Sequence, residues 1–171
     1  MSTLTVSRHF VEASLSGAER LGLDSRALLQ EAGISPDLLR IEMARVSSDQ
    51  FSKLMQVIWQ RTGDEFMGMG PRRARSGTFA TMCALVVGCQ TLEEVYQQAF
   101  RFSRLFEPMV SMELEIFGDR ARLVTRIEGS IHDPDYFLRE SILVIWHRLG
   151  SWLIGQPVEL EKAEFDYPRP D

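Results

Sequence analysis

Cysteine is nearly missing from this sequence. The two present, Cys83 and Cys89, are too few for a disulfide framework. Their six-residue spacing also fails the usual zinc pattern. Both stand among apolar neighbours, where a buried reduced thiol is the expectation. Histidine is as sparse: His9, His132 and His147 are far apart, with no i, i+4 pair of the kind a helical metal site uses. No apolar run approaches the roughly 18 residues needed to cross a bilayer. The opening MSTLTVSRHFVEASL has no basic region followed by an unbroken apolar block, so no signal peptide is read and the cytoplasm is the expected compartment. Positive charge is in deficit. Lys and Arg total 19 against 24 Asp and Glu, a net charge of −5, which is a poor match to a phosphate backbone. G-x-S-x-G, P-loop and G-x-G-x-x-G sequences are all missing, and most carboxylates fall where water is expected. The reading is a protein that is not an enzyme and needs no metal and no cofactor.

What is present suits one domain over residues 1–171, with 44% hydrophobic residues to build a core. The first third reads as short helices. Phe10, Val11, Ser14, Leu15, Ala18 and Leu21 share a helical face ending at Gly22. Asp24 caps a second helix with Leu28, Leu29 and Ala32, which stops at Gly33. Ser35 and Pro36 start a one-turn piece. Ser47 and Gln50 form a capping box before FSKLMQVIWQ, a helix broken at Gly63–Asp64. A sharp turn follows at Gly70–Pro71.

Residues 77–87 are apolar almost all round, which predicts a helix buried on most sides. Thr91 and Glu94 form a second capping box, opening a helix that runs to Phe106. Strict alternation over 110–116 and 121–128, around Gly118–Asp119, predicts an antiparallel hairpin. Asp133–Pro134 reads as cap and first residue of the longest helix, whose wide buried face includes Ile145, Trp146 and Trp152. After Gly155 a third strand is expected across 158–167, with a bulge near Lys162. The fold class is α+β: a helical N-terminal part packed with a small antiparallel sheet made of hairpin, long helix and third strand.

The stretch PRRARSGTF carries the chemistry. Arg72, Arg73 and Arg75 stand just before the 77–87 helix, whose free N–H groups would point to the same region, a fair anion site. The plain alternative is a solvated basic loop. Arg101 and Arg104 on the next helix add charge or face water. Phe79, Met82, Phe102 and Trp146, with Phe100, Phe106, Met109, Met112 and Trp152, would line an apolar cavity or simply fill the core. His147, beside Trp146, could ligate haem in principle.

In order and spacing the chain resembles the sensory domain of AraC-type transcription regulators, in the subgroup with an arabinose-binding-type N-terminal domain. The residues that carry the likeness are Gly22–Leu23–Asp24, Leu28–Leu29, Ala32–Gly33–Ile34, Leu38–Leu39 and Arg45–Val46, then TGDEFMGMG and SGTFATMCALVVGCQTLEEV. Glu65 departs from that pattern, standing where proline is usual, and Ala80 and Cys83 replace glycine-like positions. The resemblance implies a ligand-sensing and often dimerising domain. It also implies that DNA is contacted only through a C-terminal helix-turn-helix domain missing from this chain, and that the sensory domain itself continues past residue 171.

The expected function is therefore sensing of a small-molecule effector, an anionic one included. Arg72 and Arg73 would anchor it, and Phe79, Met82, Phe102 and Trp146 would form the apolar wall. The expected partner is a second copy in a homodimer, with no membrane. The alternatives are a ligand-free dimerisation module and a haem or gas sensor.

Overall fold

Two residues with side-chain oxygens set the helix starts of the N-terminal half. The Asp24 carboxylate accepts from the Arg26 N–H at 2.9 Å and opens α2 (Ser25–Glu31). Ser47 and Gln50 close a reciprocal capping box, with both bonds at 3.1 Å, and open α3 (Ser48–Thr62). These belong to a computed structural model of the chain that describes residues 4–106 and 109–168. Before them come β1 (Thr5–Ser7) and α1 (Arg8–Arg20). A 3-10 helix, Pro36–Arg40, takes the place of the expected single turn. β2 (Arg45–Ser47) pairs antiparallel with β1, Val6 facing Val46. This short ladder is not legible in the sequence, because three residues are too few to show alternation.

The second half runs α4 (Thr78–Val86), α5 (Leu92–Ser103), β3 (Val110–Phe117), β4 (Arg120–Ile127) and α6 (Phe137–Leu153). Thr91 caps α5, accepting from the Glu94 N–H at 3.2 Å, but the expected box does not close, because the Glu94 carboxylate accepts from the Gln90 N–H at 2.8 Å instead. That helix ends at Ser103 and tightens into a 3-10 turn, Arg104–Phe106. The predicted hairpin forms, with Val110 facing Ile127 and Phe117 facing Arg120. The fold is α+β, with six α-helices and two small two-stranded antiparallel sheets among the described residues. One apolar core joins both halves. It includes Val11, Leu15, Leu54, Ile58, Met69, Val86, Phe100 and Trp146.

Three expectations are corrected. No third strand forms over 158–167. The alternation is real, but a strand needs a backbone partner in register. This segment is held by side chains instead. The Val158 N–H donates to Ser151 Oγ at 3.1 Å, and the Tyr167 hydroxyl donates to Glu140 at 2.8 Å. Tyr167 also stacks on Tyr136 with ring centroids 3.8 Å apart. Second, α6 starts at Phe137, and Pro134 is not its first residue. Asp133 still caps it, but from further upstream. Its carboxylate accepts from the Leu138 and Arg139 N–H groups at 2.9 and 3.2 Å, across a turn in which Tyr136 takes φ 57°. Third, α4 is not buried on most sides. Met82 and Val86, one turn apart, form its inner stripe, while Phe79, Leu85 and Val87 point outward at 39%, 47% and 61% exposure. On α6, Ile145 and Trp152 are likewise exposed. An all-apolar helix needs cover on every side, and among the described residues α4 receives it on one.

The two halves meet where α1 crosses the 67–69 backbone. A side chain at Gly17 would drive its first carbon into the Met67 carbonyl and to 2.8 Å from the Met69 N–H nitrogen, both backbone groups that cannot swing away. Gly17→Ala should therefore cost about 3 kcal/mol of unfolding free energy, at the upper end for overpacking. Urea denaturation measures it; a loss under about 0.5 kcal/mol would show that the crossing is looser than described.

Candidate functional site

The 64–77 loop is built around one carboxylate. Asp64 follows α3 directly and is 3% exposed. Its Oδ1 accepts from the Phe66 N–H at 3.0 Å and the Ala74 N–H at 2.7 Å, and its Oδ2 from the Gly68 N–H at 2.9 Å. A buried carboxylate needs such donors, and hydrogen bonds to a charged group are the strong ones. The Glu65 N–H donates to the Ala74 carbonyl at 2.8 Å and closes the loop's neck. From outside, α1 supplies the opposite charge. Arg20 donates through Nε to the Gly68 carbonyl at 2.8 Å and through its terminal nitrogen to the Gly70 carbonyl at 2.9 Å. Amides thus face a carboxylate within, and carbonyls face a guanidinium without.

This loop carries Arg72 to a cleft. A carbon added at Gly70 would meet Met109 Sδ at 2.7 Å, and one at Gly129 would lie 3.9 Å from the Pro71 ring, so the loop abuts the open end of the hairpin. Between them opens a cleft of ≈ 550 Å³ lined by Pro71, Arg72, Arg104, Met109, Ser111 and Glu128. Arg104 also borders a neighbouring cleft of ≈ 270 Å³, with Arg101 and Glu113. There the Arg126 guanidinium, hydrogen-bonded at 2.7 Å, holds the Glu113 carboxyl below the usual carboxylate range; Arg104 adds to that effect.

The six residues read from the sequence do not share one chamber. Arg72 lines the cleft, while Arg73 is exposed on the outside of the loop, its guanidinium over Gly63. Phe79 and Trp146 touch edge to face at 6.4 Å. Trp146 is 6% exposed and closed in by Phe100 at 5.2 Å and Tyr96 at 6.0 Å. Met82 is buried in the same core, and Phe102 packs against Phe106 at 5.1 Å. Phe79, Met82 and Trp146 thus help pack α4, α5 and α6 together, and Phe102 lies partly buried against the same core.

The N-terminus of α4 is not open to an outside anion. Glu65 accepts from the Gly77 N–H at 2.8 Å and the Phe79 N–H at 3.0 Å, so the chain supplies its own carboxylate there. Burial pushes the Cys83 thiol of that helix up from its ordinary pKa, and Glu65 adds to it. His147 has its Nε2 2.9 Å from the Val158 carbonyl oxygen, where the Nε2–H form donates. Sequence reasoning missed Asp64 as an anchor, and Glu128 and Ser111 as cleft residues. TGDEFMGMG held the signal for the first: an acid just past a helix end, followed by glycines whose amides can turn toward it.

The family described as the arabinose-binding domain of AraC transcription regulators, N-terminal, matches residues 22–171. The chain belongs to that family. It is also similar to an ornithine utilization regulator of Pseudomonas aeruginosa, 22% identical over 162 residues, which are 94% of this chain and 48% of that regulator. The chain thus spans about half the length of the curated relative it matches. No solved structure matches it. No helix among the described residues is long and apolar enough to cross a membrane.

Asp64→Ala leaves three amides without their acceptor and should cost roughly 3 kcal/mol of stability. Asp64→Asn keeps one carbonyl oxygen and should cost less. Chemical denaturation of both variants checks the order; equal stabilities in both and the parent would remove Asp64 as the loop's anchor.

Proposed function

We propose that this chain is the effector-sensing part of an AraC-type transcription regulator, taking a small, carboxylate- or phosphate-bearing metabolite in the cleft between the 64–77 loop and the hairpin. The observation that carries the reading is the presence of two guanidinium groups, Arg72 and Arg104, in one cleft of a size ordinary for small ligands. Arg73 adds positive potential from the outer side of the loop. Phe79, Met82, Phe102 and Trp146 act as the packing that fixes the helices behind the cleft. The effector would bias one arrangement of the domain, with a coupling of about 1–3 kcal/mol, and a DNA-binding part of the same regulator would read the difference. The similar ornithine utilization regulator supports a metabolite as the signal. The domain acts in the cytoplasm and performs no catalysis.

Homodimerisation is the second part of the proposal. Leu85 on α4 and Val87 at its C-cap, with Val144, Ile145 and Trp152 on α6, are large apolar side chains turned outward. Apolar surface of this kind favours burial against a partner.

Two measurements test these statements. A saturating effector, at 100 times its Kd, should stabilise the chain by about 2.7 kcal/mol in a thermal-shift screen of anionic metabolites. The double variant Arg72→Ala, Arg73→Ala should then need at least about tenfold more of it, since a charge-assisted bond contributes about 1.5–3 kcal/mol. Its unliganded Tm should stay within about 3 °C. Unaltered affinity in the double variant would take the arginines out of the site. Sedimentation at tens of micromolar should give a dimer, and Trp152→Glu should give a monomer; a monomeric parent chain would end the dimer proposal.

A further inference from the structure

Glu128 is out of keeping with the hairpin around it. The other carboxylates of the strands are matched across the ladder: Glu113 with Arg126 at 2.7 Å and Glu115 with Arg122 at 3.3 Å. Glu128 lies one residue beyond Ile127, and its N–H donates to the Met109 carbonyl at 2.8 Å. The pairing therefore places a methionine opposite it, where an arginine would complete the pattern. Among the described residues its carboxylate has no ion pair. Because residues two apart share a face of a strand, Met109, Ser111 and Glu128 lie on one side of the hairpin's open end. That side forms a wall of the cleft, and Arg72 and Arg104 approach from the loop and the end of α5.

We infer that the cleft selects a zwitterion of amino-acid type, a small skeleton with both a carboxylate and an ammonium group. The inference rests on the effector reading above and adds a second pole to it. The guanidinium groups of Arg104 and Arg72 receive the carboxylate, and Glu128, with the Ser111 hydroxyl beside it, receives the ammonium. Met109 and Pro71 form the apolar floor for the carbon skeleton. Charge decides against simpler ligands. A phosphate or plain carboxylate would bring its negative charge towards Glu128, and a plain amine would bring its positive charge towards Arg104. Repulsion against the wrong ligand is as much a source of selectivity as attraction to the right one. Only a molecule with both charges satisfies both walls.

Calorimetric titration of the chain tests this with three matched series: the standard L-amino acids with ornithine, the same skeletons without the α-amine, and the same skeletons without the carboxylate. At least one amino acid should bind, and its deaminated counterpart should bind about tenfold or more weakly. Glu128→Gln, exposed and expected to melt like the parent, should shrink that gap to about threefold or less while leaving the deaminated ligand's affinity unchanged or better. Arg104→Ala should weaken both ligands. If deaminated ligands bind as well as amino acids, or if Glu128→Gln leaves the gap intact, the zwitterion is overturned while an anionic effector stands. If none of the carboxylate-bearing ligands binds a chain that still melts cooperatively, or if the skeletons without the carboxylate bind as well as the amino acids, the anion-anchored reading falls with it.

Discussion

One buried carboxylate with three converging amides holds together the part of this molecule that matters for binding. Without Asp64 the glycine-rich stretch after α3 would have several N–H groups inside the protein and nothing to receive them. With it, the backbone wraps tightly enough for Met67 and Met69 to reach the core and for α1 to cross at Gly17 without a side chain between. Arg20 completes the arrangement by taking carbonyls of the same loop from the other side. The loop's polar groups are thus satisfied by two side chains of opposite sign, one at the loop's own start and one on α1.

The position of the cleft follows from that constraint. Pro71 and Arg72 sit where they do because Gly70 presses on Met109 and the chain leaving β4 passes beside Pro71. The His132 N–H then donates to the Met69 carbonyl at 2.7 Å, tying the segment after the hairpin to the loop. Loop, hairpin end and the last turn of α5 are consequently one assembly. Its charge pattern is mixed: two guanidinium groups on one wall and a carboxylate on the other.

What was legible in the sequence is what is local. The capping box at Ser47 and the Thr91 cap need only a residue three positions on, and the hairpin needs only its own alternation. The family likeness was legible too, through the order of many weak motifs. What was not legible depends on distant partners. Arg20 finds carbonyls 48 and 50 residues away. Glu65 caps a helix that starts beyond the loop, at the one place where the sequence leaves the family's usual proline. Alternation over 158–167 describes side-chain surroundings and says nothing of a ladder partner, so no strand followed from it. The apolar run of α4 was read as burial within the chain, yet composition alone cannot distinguish a core from a face turned outward. For the candidate site, Arg72 and Arg104 stood out as cations, whereas Glu128 looked like one more solvated acid until the register placed Met109 opposite it.

The convergence of amides 66, 68 and 74 on a single acceptor also bears on motion. A loop stapled by separate bonds can peel away one bond at a time. Here, dislodging the acceptor strands all three donors together and leaves a bare charge in an apolar interior, so partial release gains almost nothing. Any opening of the segment carrying Arg72 would therefore be rare, concerted and shared with the helix that clasps it through Arg20.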